Sequence, residues 1–504
     1  MKIILEGHSY KYAAEQILLQ TLPDEKPEFT DAIPESGSYA HIALREITIK
    51  GEALASVFAK LSHNGRVYFG RSQTRRIDPD SPLFDVINDR ERSRAVKLAF
   101  FRAARRCTGV ELPWGATTGI RPSTLITRMV LRSGMTEKAA TATLRREYYV
   151  SAARAELALD AARAELKARR ALAPNDLALY IGIPFCPTRC AYCSFVSQSV
   201  ERSMELLPPF LDALKREADA LAEAMAPASA HIGAVYIGGG TPTTPDAASI
   251  DALLTHLDKT FNFAASTEYT VEAGRADTIT AEKLAVLKAH GVTRISVNPQ
   301  TMSPEVLRAI GRRHTPEDVY AAFELVRAAG FDYVNADLIA GLPGDTQDGF
   351  RASLEALIAL APENITVHTL SRKRGARVTV ENTPVPPGTE VSEMLSLASP
   401  ALRAANYSPY YLYRQKFTSG GFENTGWTTP GGDCLYNIIM MDELRPVLAL
   451  GAGVTKLVAR PTESGDYGRI ERLFNPKYPY EYIERIDGII EKKRRVKEFL
   501  SREF

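Results

Sequence analysis

The middle of the chain alternates short, β-branched apolar runs with longer amphipathic stretches. Two of the amphipathic stretches, AEKLAVLKAHG and EDVYAAFELVRAAG, close with Gly291 and Gly330, which suit the left-handed position after a helix end. This alternation predicts an α/β fold, with a parallel sheet, helices outside it and ligand-binding loops after the strands. Six strand candidates lie between about residue 178 and residue 370, namely LALYIGI, AVYIG, TEYTVEA, TRISVN, YVNADLI and NITVHTL.

The pattern changes on both sides of this region. Residues 151–172 are rich in Ala, Arg, Glu and Leu and predict a helix that ends before Pro174. After about residue 380 the sequence becomes rich in Tyr, Gly and Pro and closes with a basic helix. We therefore expect three domains: an N-terminal α/β domain of unknown role ending in a helical linker (1–170), a core barrel (171–400) and a smaller C-terminal lobe that covers the substrate site (401–504).

Composition narrows the class of protein. With 504 residues, 45% hydrophobic and 24% charged, the chain has the balance of an ordinary globular protein. A net charge of only +2 argues against nucleic acid or an anionic membrane as a partner, and no apolar stretch is long enough to predict a membrane span. Five cysteines, three of them clustered, indicate a metal site in a reducing compartment, and hence a cytoplasmic location.

The clustered cysteines give the most specific signal. In GIPFCPTRCAYCSF, Cys186, Cys190 and Cys193 form a C-x3-C-x2-C array directly after the first barrel strand. Three thiolates can hold three irons of a four-iron cluster and leave the fourth iron open, whereas a closed zinc site needs four ligands. The alternative is a zinc site completed by a distant histidine or by Cys434. Otherwise we expect Cys107 and Cys434 to be buried or incidental thiols.

The array and its position resemble the radical S-adenosylmethionine (SAM) superfamily. This resemblance implies a partial (β/α)6 TIM-like barrel, a [4Fe-4S] cluster on the three cysteines, and SAM bound at the open iron and cleaved to a 5′-deoxyadenosyl radical. Gly239, Gly240 and Thr241 follow the second strand, where glycines let backbone amides approach a ligand, although a tight turn would also explain them. Glu272 ends the third strand, where it can accept hydrogen bonds from ribose hydroxyls or be a surface acid.

Longer segments resemble the oxygen-independent coproporphyrinogen III oxidases: YIGIPFCPTRCAYC, IGGGTPT, RISVNPQTM, IGRRHTPED and NADLIAGLPGDT. The resemblance implies that Tyr180, Gly239 and Glu272 hold the SAM on the cluster. It also implies a second SAM molecule, contacted by Tyr192, Gly240, Thr241, Gln300, Arg312 and Asp337, and Ile339 is counted among the cofactor-binding residues. Arg312 can fork to the methionyl carboxylate and Asp337 can pair with the amino group, unless the two pair with each other.

The sequence also departs from that family. Gly182 stands in place of the usual histidine, Tyr192 in place of phenylalanine, and Ser194 with Phe195 where a further cysteine is usual. These departures fit the longer HemZ-type branch, which this chain resembles almost throughout. The segments outside the barrel that carry this resemblance are PWGATTGIRPSTL, VHTLSRKRGARV, YYLYRQKFTSGGFENTGW and GAGVTKL.

The resemblance implies oxidative decarboxylation of two propionates of coproporphyrinogen III, with a flavodoxin or ferredoxin-like electron donor and an unknown acceptor. Another tetrapyrrole enzyme, such as an anaerobic haem-cleaving methylase, and a haem-binding chaperone are the alternatives. A substrate with four carboxylates needs several cations in its cavity. The candidates, each of which a solvated basic face would also explain, are Lys373 and Arg374 with Arg377, then Arg414 and Lys416 among Tyr410, Tyr411 and Tyr413, and, less favoured, Arg121.

Overall fold

The computed structural model describes residues 1–49, 52–81, 84–195, 198–199, 203–415, 418–460 and 469–504. The chain forms two compact units, the first comprising Met1–Ile120 with Thr136–Glu156 and the second Arg121–Met135 with Leu157–Phe504. The three domains expected from the sequence, with boundaries at residues 170 and 400, stay predictions, and the compact units divide the chain elsewhere. Within the described residues, no helix combines the length and apolar composition that a membrane crossing requires.

The described elements are numbered in chain order. The strands are β1 (Lys2–Glu6), β2 (Glu28–Phe29), β3 (Tyr39–Ile49), β4 (Glu52–His63), β5 (Arg66–Gln73), β6 (Asp176–Ile183), β7 (Phe185–Cys186), β8 (Gln198–Ser199), β9 (His231–Gly239), β10 (Glu268–Glu272), β11 (Arg294–Ser296), β12 (Tyr333–Ala340), β13 (Asn364–Thr369), β14 (Ser408–Arg414), β15 (Glu423–Thr428), β16 (Val447–Gly451), β17 (Val454–Val458) and β18 (Ile470–Phe474). The α-helices are α1 (Lys11–Thr21), α2 (Phe84–Thr108), α3 (Ser123–Ser133), α4 (Glu137–Tyr148), α5 (Ala152–Ala171), α6 (Leu207–Met225), α7 (Ala247–Phe261), α8 (Ala281–Ala289), α9 (Pro304–Ala309), α10 (Pro316–Ala328), α11 (Gln347–Ala359), α12 (Arg377–Val380), α13 (Gly388–Ala404), α14 (Leu435–Asp442), α15 (Pro479–Glu484), α16 (Ile486–Glu491) and α17 (Lys493–Glu503).

The first unit is built on a five-stranded sheet in the order β2-β1-β3-β4-β5. Alternate residues of β4, such as Val57 and Leu61, are buried in one core with residues of α1 and α2. Strand β5 forms the edge of this sheet, and three arginines of α2 donate to its backbone carbonyls at Phe69, Arg71 and Gln73. These side chains cover an edge that would otherwise offer free acceptors to another strand.

The second unit contains the predicted parallel strands. β6, β9, β10, β11, β12 and β13 are adjacent and parallel, which confirms the partial (β/α)6 barrel. The side chains of Asp246, Thr280 and Thr346 cap the N-termini of α7, α8 and α11, as the helix starts require. Gly291 and Gly330 have φ values of +76° and +72°, so the predicted left-handed positions after α8 and α10 are confirmed.

The residues after position 400 extend this sheet at both edges. β15 pairs antiparallel with β13 and with β14, while β16 pairs parallel with β6 and is followed by antiparallel β17 and β18. The terminal helices are held by Glu217 of α6, which is fully buried and accepts hydrogen bonds from Tyr482 Oη at 2.6 Å and Lys493 Nζ at 2.5 Å. The backbone N–H of Gly451, at the end of β16, donates to the same carboxylate at 2.8 Å.

Candidate functional site

A cavity of about 470 Å³ lies at the carboxyl ends of the parallel strands, where a β/α barrel places its ligand-binding loops. The structure brings every residue predicted to hold the cluster or SAM to the lining of this cavity. These residues are Tyr180, Cys186, Cys190, Tyr192, Cys193, Gly239, Gly240, Thr241, Glu272, Gln300, Arg312, Asp337 and Ile339.

The loop that carries the three cysteines is held by main-chain hydrogen bonds to two other parts of the second unit. Ala191 N–H donates to the carbonyl of Ile310 at 2.8 Å, and Val378 N–H donates to the carbonyl of Ala191 at 3.0 Å. Thr241 Oγ1 donates to Cys186 Sγ at 3.5 Å. Burial, together with the neighbouring thiols, raises the pKa of Cys193 to about 11, so ligation to a metal would have to displace its proton.

The three thiols line one cavity, and Cys186 and Cys190 are near enough to act on the pKa of Cys193. Within the described residues, no three histidine, cysteine or carboxylate side chains converge as the ligands of one metal ion would. In a four-iron cluster each cysteine would bind a different iron, so the three sulfurs would surround the cluster and not one ion. Cys434 donates from Sγ to Glu268 Oε1 at 3.3 Å, so its thiol already has a protein partner.

Gly239 ends β9 and Gly240 follows it, and a different structural reason explains each glycine. A Cβ atom on Gly240 would lie 2.5 Å from the carbonyl oxygen of Phe185, so this position tolerates no side chain. Gly239 has a φ of +114° and directs its N–H to the Glu272 carboxylate. Close packing against Phe185, which the sequence did not indicate, therefore accounts for Gly240, while Gly239 positions an acid that lines the cavity.

Glu272 ends β10 as a half-buried residue that lines the cavity. Tyr236 Oη donates to its Oε1 at 2.5 Å, and a Cβ atom on Gly238 would lie 2.9 Å from its Oε2. Burial raises the pKa of Glu272 from its ordinary value of 4.5 to about 7, although the hydrogen bond from Tyr236 acts in the opposite direction. Glu272 therefore lines the cavity, and its contact with ribose hydroxyls stays a prediction.

Arg312 and Asp337 do not form an ion pair with each other. The Nη1 of Arg312 donates to the carbonyls of Asn298 at 2.5 Å and Gly274 at 3.2 Å, and its Nη2 donates to Tyr192 Oη at 3.0 Å. Burial opposes the charge of Arg312, but Tyr192 and Cys190 outweigh it and raise its pKa. Tyr192, where the coproporphyrinogen oxidases usually have phenylalanine, thus gives this arginine an acceptor.

Asp337 is held by a separate set of partners. Asn335 Nδ2 donates to its Oδ1 at 2.8 Å, and His368 Nε2 lies 3.6 Å from its Oδ2. Burial would raise the pKa of Asp337, but these neighbours lower it below its ordinary value. Gln300, whose φ is +72°, donates its N–H to the Asp337 carbonyl, and its buried Oε1 has no hydrogen-bond partner among the described residues. The cavity thus offers a polar ligand a fixed cation, a fixed anion and a free acceptor.

Comparison with known proteins agrees with this geometry. Residues 180–357 match the model of the radical SAM superfamily. The oxygen-independent coproporphyrinogen-III oxidase-like protein HemZ of Bacillus subtilis (strain 168) is 39% identical over 392 residues, which cover 77% of each chain. The chain belongs to this HemZ-type family of radical SAM proteins.

This HemZ-type chain is also similar to two further proteins. The heme chaperone HemW of Mycobacterium tuberculosis (strain ATCC 25618 / H37Rv) is 29% identical over 325 residues, covering 63% of this chain and 77% of the relative. The solved coproporphyrinogen III oxidase (HemN) from Escherichia coli is 24% identical, covers 65% of this chain and 72% of its own, and superposes with a TM-score of 0.50. The second likeness shows the shared radical SAM fold. Membership of the superfamily implies a [4Fe-4S] cluster and SAM as cofactors.

The HemZ-type chain also has a tyrosine wall that the sequence did not predict as a unit. Tyr180, Tyr236 and Tyr436 stack in parallel, with the centroids of Tyr236 and Tyr436 4.3 Å apart. Tyr436 belongs to α14, whose first backbone N–H groups, at Leu435 and Tyr436, donate to the buried Glu268 carboxylate of β10 at 2.7 and 3.0 Å. We define the tyrosine wall as six of the seven cavity-lining tyrosines, namely Tyr180, Tyr236, Tyr410, Tyr411, Tyr413 and Tyr436; the seventh, Tyr192, contacts Arg312.

The cations predicted to contact substrate are scattered. Lys373 is exposed and lines the cavity, whereas Arg374 and Arg377 are exposed and do not line it. Arg414 is buried away from the cavity and donates from Nε to the Gly421 carbonyl at 2.9 Å, so the prediction of a substrate contact there finds no support in the geometry. Lys416 lies outside the described residues. Arg121 pairs with Glu443 at 2.5 Å and does not line the cavity either.

The two isolated cysteines have different surroundings. Cys107 is half-buried against the core of the first unit, as expected of an incidental thiol. Cys434 is buried, at 1% exposure, yet it lines the cavity beside the tyrosine wall.

Proposed function

We propose that this chain oxidatively decarboxylates two propionate side chains of coproporphyrinogen III and yields protoporphyrinogen IX. The observation that carries the proposal is that the cysteine loop, the Glu272 carboxyl, the separate charges of Arg312 and Asp337, and the tyrosine wall share one cavity. The HemZ protein of Bacillus subtilis, with its oxidase-like name, supports the same substrate class.

Different residues of the chain would bind the cluster and the two SAM molecules. When bound, the cluster and SAM supply an electron and a hydrogen-abstracting radical. Cys186, Cys190 and Cys193 would hold the cluster, and Glu272 would accept hydrogen bonds from the ribose hydroxyls. Arg312 and Asp337 would bind the carboxylate and ammonium groups of a second SAM molecule, because each keeps its charge without neutralising the other.

Each propionate needs two oxidation steps. The side chain first loses one hydrogen atom from the carbon attached to the ring; the resulting radical then releases carbon dioxide and one electron, which leaves a vinyl group. The tyrosine wall would exclude water during these steps, and burial raises the pKa of Tyr180, Tyr236 and Tyr436, which keeps their hydroxyls protonated. We propose a flavodoxin or ferredoxin-like protein as the electron donor and a separate acceptor for the released electron.

The test is an anaerobic product assay on the full chain with its cluster reconstituted. Coproporphyrinogen III, SAM and reductant should give a product that has lost two carboxyl groups, each with one hydrogen, together with 5′-deoxyadenosine. Mass spectrometry measures both. Deoxyadenosine formed without that loss would overturn the proposal in favour of another tetrapyrrole reaction, such as haem-cleaving methylation.

A second candidate function is haem binding without catalysis. Several relatives are named heme chaperone, including one 34% identical over 193 residues from Bacillus subtilis (strain 168). Tight, stoichiometric retention of haem with no cleavage of SAM would support this function and contradict the oxidase. The charged pair of residues Arg312 and Asp337, each with its own partners, favours the enzyme, since a binding protein needs no second cofactor.

A further inference from the structure

A basic loop follows β13, the last of the six parallel strands. Its sequence, SRKRGAR (371–377), contains four cations. Arg377 is paired with Glu381 at 3.3 Å, and Arg372 donates to Asn382 Oδ1 at 2.9 Å. Lys373 and Arg374 are exposed, and within the described residues neither has an ion-pair partner. The loop therefore presents two cations to solvent without local neutralisation.

This basic loop contacts the cysteine loop directly. Arg189, which lies between Cys186 and Cys190, donates from Nη2 to the Gly375 carbonyl at 2.9 Å. Lys373 and Cys193 line the same cavity. Burial lowers the pKa of Lys373, and Cys193 and the exposed Lys477 are near enough to act on that pKa as well. The cations Arg189, Lys373, Arg374 and Lys477 are called the basic rim below.

An apolar side chain stands beside the basic rim. Phe195 lies two residues after Cys193, lines the mouth of the cavity with Lys373 and is 63% exposed. Phe195 and Lys373 line the same cavity, and protein interfaces commonly combine an apolar centre with a polar edge.

Three of the four rim cations, Arg189, Arg374 and Lys477, do not line the cavity, whereas Lys373 does. Arg189 has its guanidinium on the backbone of the basic loop. A buried cluster at the cysteine loop must nevertheless receive electrons from outside the protein. Electron-transfer partners form small, short-lived interfaces, and complementary charge sets their association rate.

We propose that the basic rim and Phe195 form the docking surface for an acidic electron-carrier protein that reduces the cluster. The inference rests on the proposed function only in requiring a reducible cluster at Cys186, Cys190 and Cys193. It assigns Lys373 and Arg374 to a protein partner, where the sequence suggested a substrate carboxylate. Because exposed charges steer the encounter, the rate of reduction should fall as ionic strength rises.

The experiment follows cluster bleaching in the reconstituted full chain by anaerobic stopped-flow absorbance. The reductants are an acidic bacterial flavodoxin in its fully reduced form and photoreduced deazaflavin, a small neutral donor. In the double variant Lys373→Glu/Arg374→Glu, reduction by flavodoxin at low salt should be about tenfold or more slower, since steering contributes roughly 10- to 1,000-fold to association rates. Reduction by deazaflavin should be unchanged, and the salt dependence with flavodoxin should flatten.

The control is Lys259→Glu/Lys288→Glu, which makes the same charge change in the last turns of α7 and α8, at the opposite ends of the strands, and also removes the ion pair of Lys288 with Asp332. Its rate with flavodoxin should stay within about twofold of the unmodified protein. A single Lys477→Glu variant should give an intermediate slowing. Equal flavodoxin rates for the rim and control variants would overturn the proposal, as would equal slowing of the rim variant with both reductants.

The substrate alternative has its own signature. If flavodoxin reduces the rim variant normally while the KM for coproporphyrinogen III rises, the basic rim binds substrate and the docking proposal is wrong. Cluster bleaching needs no tetrapyrrole, so the docking result stands or falls independently of the decarboxylation assay.

Discussion

The two sides of the cavity use different chemistry. On the side of the strand ends, Glu272, Arg312 and Asp337 are ionisable groups, and each is fixed by named partners. The other side, made of the tyrosine wall with Met440 and Met441, presents rings, hydroxyls and thioethers without a formal charge, and the two sides meet where Tyr236 donates to Glu272. Charged groups in fixed positions select a ligand by its ionic ends, whereas a neutral aromatic surface selects by shape and burial.

This difference implies that the two sides respond differently to substitution. Removing a fixed charge leaves its buried partners without a hydrogen bond. The free-energy loss is therefore larger than when a hydroxyl is removed from an aromatic ring that keeps its packing. The predictions below run from the strongest expected effect to the weakest; four of them test that ranking in the cavity, and one tests the attachment of the C-terminal segment.

Cys193→Ala should have the largest effect, the loss of both the cluster and SAM cleavage. Without the third thiolate the cluster has too few protein ligands, so we expect iron content and deoxyadenosine formation to fall to background. Cys434→Ser is the control on the tyrosine side, because that thiol bonds to Glu268, and it should retain iron. Iron analysis and the electron paramagnetic resonance spectrum with added SAM measure both variants. Loss of iron in both would contradict the assignment.

Glu217→Ala should release the C-terminal segment that completes the sheet. The substitution leaves Lys493 buried without its carboxylate, and breaking such a pair costs about 3–5 kcal/mol of unfolding free energy. Urea unfolding followed by circular dichroism measures the change. The double variant Glu217→Met/Lys493→Met removes both charges and should recover most of the stability. A loss below about 1 kcal/mol in the single variant would contradict this role.

Arg312→Met should lower SAM cleavage by about 100-fold, since Tyr192 Oη and the Asn298 and Gly274 carbonyls lose their common donor. Arg312→Lys should recover little, because an ammonium group cannot reproduce the planar fork. Deoxyadenosine assays at saturating substrate measure the effect. Near-normal activity of the lysine variant would show that Arg312 acts only as a charge.

SAM affinity should rise with pH through about 7, the pKa of Glu272. Its carboxyl is mostly protonated at pH 6 and mostly ionised at pH 8, and the ionised form accepts ribose hydrogen bonds more strongly, so we expect about a tenfold gain. The same raised pKa means that the folded state binds the proton more tightly, so the contribution of Glu272 to stability declines from pH 4.5 to about 7.

Two variants isolate this titration from that of the other groups that face Glu272, which include Tyr180, Tyr236, Tyr436, Asp337 and His368. Glu272→Gln should make the affinity profile flat. Tyr236→Phe removes a hydrogen bond that lowers the pKa, so its midpoint should move to higher pH. Equilibrium binding of SAM across pH measures all three proteins. An unmoved midpoint in Tyr236→Phe would show that Tyr236 does not act through Glu272.

Tyr436→Phe should have the smallest effect, less than about twofold on SAM cleavage, because the ring keeps its stacking on Tyr236 and Tyr180. Tyr436→Ala removes the ring and should lower the rate by about tenfold. The deoxyadenosine assay compares them. A large loss in the phenylalanine variant would show that the tyrosine wall acts through its hydroxyls, and the contrast between the two sides would fail.

The charged side was predictable because its residues follow strands that local pattern defines. The six parallel strands and the position of every predicted cofactor residue follow from short segments such as IGGGTPT and NADLIAGLPGDT. The position of Tyr236 was predictable as well. Tyr236 on β9 is in register with Thr270 on β10, so it lies on the same face of the sheet as Glu272, two residues further along β10.

The tyrosine side was less predictable because long-range contacts create it. Glu268 meets Leu435 across 167 residues, and nothing near Tyr436 indicates that its helix starts on a carboxylate of β10. The substrate contacts predicted for lysines and arginines were the least successful predictions. A sequence does not distinguish an arginine in an internal ion pair, such as Arg121 with Glu443, from one that faces a cavity.

The pairing of β16 with β6 constrains when, during synthesis, the sheet beside the cysteine loop can be completed. β6 leads directly into the cysteine loop, yet one of its neighbours in the sheet arrives only when residues 447–451 leave the ribosome. Until then a strand edge beside the cysteines stays open to solvent and to other chains. Cluster insertion is therefore expected to follow synthesis of the whole chain, and truncated products should be retained by chaperones or degraded without iron.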